Sequence, residues 1–294
     1  MSKNNNKRDS YLEAINRLNY FSNKLTHTLL VIIVCTIVGF PLFWMIASSF
    51  KPPSEFYSSN PTFFPELWSI DNYKQLFIQT SFAKYFLNSL IVAMGSTTLS
   101  LIIGGLGAYA LSRFNYRLVR IFSQLTLLSY MLPEVLIVIP LYLYVVKIGL
   151  ADTLIVLVIT NMAFTLPLTL WYMRSYFNAI PMALEESAMV EGCNRLQAFR
   201  LIALPLALPG LISTGVFAFN HAWNEFLFAL VFTSSEKNKV LTLGLATWIG
   251  QDAIFSWGML LSAAVLVTIP VMLFYLLVQK KLVVGITSGA SKGE

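Results

Sequence analysis

Apolar residues along the chain are gathered into six runs, near positions 29–48, 88–111, 121–146, 154–173, 206–232 and 257–277. Each is about 20 residues long or longer, enough for a helix to cross a hydrocarbon core of roughly 30 Å. The runs are continuously apolar, whereas a barrel strand would alternate over about 10 residues, so the pattern predicts helices. The expected fold class is all-α, a polytopic membrane protein with six transmembrane helices. Stretch 51–84 holds Pro61, Pro65 and many polar residues, and reads as a loop of modest size. Three segments follow: an N-terminal segment 1–28, a membrane domain 29–277 and a tail 278–294. An even number of spans puts both ends of the chain on one side.

Finer features sit on this frame. Ser10 and Glu13 have capping-box spacing, with Tyr11, Ile15 and Leu18 on one helical face. A short interfacial helix and a partly ordered tail fit that stretch equally. Ser96, Ser100, Gly104 and Ala108 recur every four residues and make a small-residue ridge suited to close helix packing. Pro133, Pro140 and Pro167 interrupt the hydrogen-bond ladder and can bend the third and fourth spans.

Composition removes the soluble alternatives. Hydrophobic residues make up 56% of the 294 and charged residues only 12%, with a mean hydropathy of +0.68. Soluble domains carry about 25% charged residues. The net charge is +6, and its distribution is informative. Fourteen of the 20 Lys and Arg residues fall in the N-terminus, the second and fourth loops and the C-terminus; Lys51, Lys74, Lys84, Lys147, Lys237 and Lys239 occupy the other loops. Cytoplasmic loops concentrate Lys and Arg, so both termini and the loops at Arg117 and Gly192 are expected in the cytoplasm, and the surplus needs no nucleic acid to explain it. Cys35 and Cys193 make no disulfide framework. The first 26 residues lack the apolar core and cleavage site of a secretory signal, so the first span is expected to stay in the mature protein.

The fourth loop, Pro181-Met-Ala-Leu-Glu-Glu-Ser-Ala-Met-Val-Glu-Gly192 followed by Cys193-Asn-Arg-Leu-Gln-Ala-Phe-Arg-Leu-Ile-Ala-Leu-Pro205, is the most informative segment. Pro181 suits a helix start, Gly192 a left-handed helix end, and Asn194 with Gln197 a second capping box. The loop reads as two short helices joined at Gly192, too polar to cross the membrane. Leu184 with Ala188, and Leu196 with Phe199, give each helix an apolar face; the chain's own helix ends or a separate partner could cover it.

In the fifth run Asn220, His221, Asn224 and Glu225 pair at i, i+4, where polar groups must face protein or water rather than lipid. They are candidates for a translocation path, and equally for hydrogen bonds between spans. Glu134 is a further charge inside the third run. His221 with one carboxylate falls short of a metal-ligand set, and no metal is expected. The glycine pair at phosphate-loop spacing, Gly210 and Gly215, is followed by Val216, so the chain is not expected to bind ATP. No catalytic residue is expected.

Glu186-Ser187-Ala188, three residues, Gly192, nine residues, then Ile202-x-Leu204-Pro205 resembles the EAA loop of binding-protein-dependent ABC importer permeases. Ser187 stands where the family usually has alanine and Glu191 where it often has aspartate; both keep size or charge. Ser48-Ser-Phe-Lys-Pro-Pro-Ser-Glu55, Asn72-Tyr73, Phe86-Leu-Asn-Ser-Leu90, Ala222-Trp-Asn-Glu-Phe226 and Gly285-Ile-Thr-Ser-Gly-Ala290 resemble the maltose-type permeases, specifically the shorter six-span subunit. The resemblance implies a multi-pass subunit of a bacterial inner membrane that imports carbohydrates, oligosaccharides above all. It implies a heterodimer with a second permease, a substrate-binding protein docking from outside, and two ATPase subunits carrying ATP and Mg, with no cofactor on this chain. The loop 181–205 would be the cytoplasmic coupling element, docking through Glu185, Glu186, Ser187, Ala188, Gly192, Ile202, Leu204 and Pro205. The rival reading is a secondary transporter or channel working alone.

Overall fold

A computed structural model describes residues 2–56, 58, 62–114, 116–250 and 256–290; for 2–23, 25, 118–120, 122, 123, 127, 249, 250 and 280–290 it describes the backbone alone. Every regular element among the described residues is helical. In chain order these are α1 (Ser2–Ser49), α2 (Pro53–Phe56), α3 (Asp71–Gln79), α4 (Phe82–Arg113), α5 (Arg117–Tyr130), α6 (Glu134–Lys147), α7 (Leu154–Ala179), α8 (Met182–Val190) and α9 (Arg195–Ala198). A π-helical turn, Phe199–Ala203, leads to α10 (Leu204–Leu206), α11 (Leu208–Asn224), α12 (Leu227–Phe232), α13 (Leu241–Gly250) and α14 (Trp257–Ala290).

Among the described residues, four stretches are long and apolar enough to cross a membrane unaided: Thr26–Ser49, Phe82–Arg113, Leu154–Ala179 and Trp257–Gln279. Two bent pairs bring the number to six if each is one span: Gln124–Tyr130 with Glu134–Lys147, bent by 97°, and Arg195–Leu206 with Leu208–Asn224, bent by 72°. The third run, read as continuous over 121–146, is thus broken at 131–133. Pro133 has no N–H to donate, and proline disfavours helical backbone in the residue before it. The fifth run, read as continuous over 206–232, breaks twice. At Ala207 the cause is Pro209, which cannot donate to the carbonyl one turn back. At Glu225 the backbone turns extended, φ −64 and ψ 134, and the side chain takes over the ladder's role as described below. The expected amphipathic face of Tyr11, Ile15 and Leu18 lies outside the described side chains; its backbone is one helix with the first span. The boundary at 278 falls inside α14.

The chain forms two compact units. One comprises 1–74 and 256–265. Its organising residue is Asn72, fully buried, whose Nδ2 donates to the carbonyls of Ser49 (3.0 Å) and Lys51 (2.7 Å). These are carbonyls that the end of α1 leaves without an intrahelical donor. Ser262 Oγ adds a second donor to Ser49 O at 3.3 Å, and Tyr73 Oη shares a hydrogen bond with Ser49 Oγ at 2.7 Å. Lys51 Nζ donates to Thr62 O at 2.5 Å and lies 3.7 Å from Glu55.

The other unit comprises 75–255 and 266–294, and its spine is α4 against α7. Lipid tails give apolar side chains no reason to prefer protein, so spans associate through close packing and interhelical hydrogen bonds. The small-residue ridge meets that need. Ser96, Ser100 and Ala108 are buried, a Cβ on Gly104 would lie 2.5 Å from Thr169 Cγ2, and Ser100 Oγ pairs with Thr169 Oγ1 at 2.9 Å. One apolar cluster around Leu157, Phe228 and Phe232 lies toward one end of the spine. A second, with Tyr109, Met173, Phe177, Ile180, Phe199 and Ala203, lies toward the other.

Candidate functional site

The second cluster seats the fourth loop. Pro181 is the residue ahead of α8, with φ −58, and Met182 opens the helix. At the far end Cys193 N donates to Ala188 O (3.0 Å) and Gly192 N to Met189 O (3.1 Å), the two bonds of a Schellman motif. That motif requires a left-handed residue, and Gly192 has φ +100. Two residues on, Asn194 Oδ1 accepts from Gln197 N (2.9 Å) while Gln197 Oε1 accepts from Asn194 N (2.8 Å), the capping box the spacing predicts.

The loop has two faces. Ala198, Phe199 and Ala203 are buried against the bundle. Val190 (89% exposed), Leu201 (65%), Leu196 (62%) and Leu184 face away, and Glu186 and Ser187 are exposed with them. Of the residues expected to dock a partner, Pro205 is also exposed, whereas Ala188, Ile202 and Leu204 are half-buried. Glu185 is turned inward and is 3% exposed. Its Oε1 accepts from Arg113 Nε at 2.8 Å and lies 2.6 Å from Nη2; its Oε2 accepts from Tyr109 Oη at 2.5 Å. Arg113 Nη1 and Nη2 also donate to Phe177 O (2.9 Å), which accepts from Ile180 N as well, and to Ile180 O (3.3 Å), at the end of α7. Periodicity places Glu185 and Glu186 as adjacent acids on one helix; only the fold shows that they point to opposite sides.

The polar residues of the fifth run are divided in the same way. Asn220 and Asn224 are exposed on α11, and Asn224 Nδ2 donates to Asn220 O (2.8 Å) and Oδ1 (3.1 Å). His221 does not meet Glu225. Because the helix ends at Asn224, residue 225 is no longer one helical turn above 221. His221 Nε2 instead lies 3.7 Å from Glu134 Oε1, at the first residue of α6 after the Pro133 break. Glu225 is buried and caps α12: Phe228 N donates to Oε1 at 2.5 Å and Ala229 N to Oε2 at 3.2 Å, while Thr242 Oγ1 donates to Glu225 O at 2.6 Å. Two span breaks thus bring Glu134, His221 and Glu225 into one neighbourhood. Glu134 was visible in sequence as a costly charge, but its partner was not, because that depends on both breaks.

At the opposite end of the unit from the loop, Asn88 Nδ2 donates to Lys237 O (3.0 Å) and Lys239 O (2.7 Å), and Ser89 Oγ accepts from Leu241 N (2.8 Å). Asp152, with φ 56, accepts from Ser234 N and Ser235 N at 3.0 and 3.1 Å. Burial pushes its carboxyl up, but the bonds from Ser235, Ser234 and Asn238 outweigh this and hold it below the usual aspartate value.

Spans broken where ionisable side chains gather, and a structured polar loop seated at the end of the bundle, define an integral membrane transport component. The family model described as "Binding-protein-dependent transport system inner membrane component" matches residues 98–286, and the chain belongs to that family. A diacetylchitobiose uptake system permease protein, DasC, of Streptomyces coelicolor is 37% identical over 86% of this chain and 92% of its own length. A trehalose/maltose transport system permease protein, MalG, of Thermococcus litoralis is 35% identical over 90% and 95%. Among solved structures, a bacterial ABC transporter involved in import of the acidic polysaccharide alginate superposes with a TM-score of 0.76, at 24% identity, over 87% of this chain and 95% of that one.

Proposed function

We propose that the chain is one of two permease subunits of a bacterial ABC importer for carbohydrates, oligosaccharides above all. It pairs with a second, non-identical permease, is driven by two cytoplasmic subunits that bind ATP and Mg, and receives substrate from an extracytoplasmic binding protein. The observation that carries the reading is the loop's outward face, where Leu184, Val190, Leu196 and Leu201 lie exposed on two capped helices. Apolar residues held out on an ordered polar loop call for a protein partner. The ATPase would meet Glu186, Ser187, Gly192 and Pro205 around them, with Ala188, Ile202 and Leu204 shaping the surface from beneath. Two relatives above 30% identity named for sugar uptake support the carbohydrate class.

Both termini and the loop 181–205 would lie in the cytoplasm on the distribution of Lys and Arg. Asn220, His221 and Asn224 would line the path, with Glu225 shaping it by holding the break between α11 and α12. Among the described residues proposed for the path, His221 is the basic ionisable group and lies beside Glu134, which favours a neutral sugar over an anionic one. ATP-driven closure of the ATPases would push the loop and rock one bundle against the other. Purification of the chain with its genomic neighbours, followed by uptake of labelled oligosaccharides into vesicles, tests the reading. Retention of ATPase subunits and uptake that requires both ATP and the binding protein are expected. Uptake by the chain alone would establish the stand-alone transporter instead.

A further inference from the structure

The first helix of the coupling loop is attached to the bundle in an unusual way. Among all nine residues of α8 the one buried residue is Glu185, while the apolar Met182, Leu184 and Val190 are exposed. An amphipathic helix normally turns its apolar side inward. Here Met182, Leu184 and Val190 are left outward, Ala188 and Met189 are half-buried, and the one fully buried side chain is a carboxylate. The second half of the loop is held differently: Ala198, Phe199 and Ala203 pack into the cluster of Tyr109, Phe177 and Ile180. Apolar packing of that kind is non-directional, whereas a carboxylate gripped by Arg113 Nε, Arg113 Nη2 and Tyr109 Oη has one geometry.

Arg113 closes the arrangement. It is the last residue of α4, it grips α8 through Glu185, and it caps α7 through Phe177 O and Ile180 O. Three helices therefore meet at one guanidinium. Beside the chain link at 180–181 and the packing of α8 on α9 and the π-helical turn, this group gives a push on the exposed face of α8 a fixed, directional route to α4 and α7.

We propose that Arg113, Tyr109 and Glu185 form a latch that makes α8 move as one piece with α4 and α7, so that Glu185 is a positioning residue acting inside this chain rather than a contact to the ATPase. The inference rests on the coupling role given to the loop, and goes beyond it by separating docking from transmission. With the latch cut, the loop keeps its outward face and its partner, but movement of α8 is no longer passed to the spans.

The test uses the full complex in vesicles, with three readouts: ATPase subunits retained on purification, binding-protein-stimulated hydrolysis, and sugar moved per ATP consumed. Glu185→Gln removes the charge and keeps the shape; Tyr109→Phe removes one hydrogen bond and leaves the ion pair. For Glu185→Gln we expect full retention of the ATPase, continued hydrolysis, and a fall of tenfold or more in sugar moved per ATP; for Tyr109→Phe, a smaller fall in the same ratio. A third variant guards against misassembly. Cysteines at 113 and 185, in a chain lacking Cys35 and Cys193, are joined by a thiol cross-linker of the ion pair's span, and the ratio should recover on cross-linking and fall again on cleavage. Loss of the ATPase with Glu185→Gln would mean that Glu185 docks the partner, and an unchanged ratio would mean that the latch transmits nothing; either overturns the proposal. Absence of any ATPase from the unmodified complex would instead refute the coupling role itself.

Discussion

Gly192 is where one residue's backbone decides the shape of the loop, and its substitution gives a graded prediction. Its φ is +100, and a Cβ placed there would meet nothing within 4 Å. Sterics between side chains are therefore absent, and the whole cost of a substitution is backbone conformation. A residue with a Cβ pays about 1 to 2 kcal/mol for left-handed backbone, with asparagine lower because its short polar side chain bonds locally. Proline is worse by a different route. It fixes φ near −65° and deletes the N–H that bonds Met189 O at 3.1 Å, for roughly 3 kcal/mol or more. A difference of 1.4 kcal/mol is about tenfold in an equilibrium. Alanine should thus shift the loop from its two-helix form by about 5- to 30-fold, and proline by more than roughly 100-fold.

Read as binding-protein-dependent sugar uptake in vesicles, activity should fall in the order Gly192, Gly192→Asn, Gly192→Ala, Gly192→Pro. The spans should remain inserted in every case, because the strain is confined to the loop. ATPase retention should follow the same order, since Val190 and Leu196 flank the junction and their relative placement depends on it. Equal uptake by all four would refute the coupling role of the junction. An asparagine variant as damaged as the proline one would refute backbone conformation as the cause.

Other expectations follow from the same geometry. Glu186→Ala removes one exposed charge, worth about 0 to 1 kcal/mol, and should weaken ATPase retention by fivefold or less in a salt titration. Asn224→Ala should lower transport and change its dependence on sugar identity with the complex intact, whereas Glu225→Ala should lower the melting temperature of the complex because it uncaps α12; the reverse pattern would exchange their roles. Gly104→Ala should destabilise by about 1 to 3 kcal/mol through overpacking against Thr169, and adding Thr169→Ser, which deletes the clashing methyl, should recover most of the loss in a thermal melt. Asp152 is held below its usual value, so its bonds to Ser234 and Ser235 are fully present above the ordinary aspartate value of about 4 and are lost as the pH falls through the lower value of the folded chain; hydrogen-exchange protection at 233–238, relative to the intrinsic rate, should fall below about pH 4, and an Asp152→Asn chain should lose that pH dependence. Cysteines at Glu66 and Asn194 in a chain without Cys35 and Cys193 should be labelled from outside intact cells only at 66.

Legibility tracked range in sequence. The capping box at Asn194 and Gln197, the left-handed Gly192 and the ridge at Ser96, Ser100, Gly104 and Ala108 are local patterns, each confined to one short stretch of chain, and the fold forms them as read. The places of the first, second, fourth and sixth spans follow from apolar runs for the same reason, although the second and fourth helices run on to Phe82–Arg113 and Leu154–Ala179 through residues too polar for a hydropathy run. Pro133 marks a bend in the third span, and the span breaks there; the fifth reads as straight because a hydropathy window does not register a lost N–H at Pro209. That error carried into the site: with the break at Glu225 unseen, His221 and Glu225 appeared to pair, and the contact of His221 with Glu134 could not appear at all. Glu185 was legible as a member of the loop, but its direction depends on Arg113 at the end of a different helix.

Three residues of the motifs that mark the resemblance, and Arg113 outside them, have a common physical use. Asn72 satisfies carbonyls at the end of α1, Asn88 those of Lys237 and Lys239, Glu225 the amides at the start of α12, and Arg113 the carbonyls at the end of α7. In a bilayer an unsatisfied backbone group costs several kcal/mol, so every place where a helix stops or breaks needs a polar side chain of defined reach. Apolar positions along the spans have no such requirement, since any side chain of suitable volume packs there. A fold built from broken spans therefore writes its identity in the residues that repair the breaks. Two of those repairs, at Glu225 and at Arg113, stand where the proposed path and the proposed coupling loop begin, so substitutions there should separate movement from assembly more cleanly than substitutions along the straight spans.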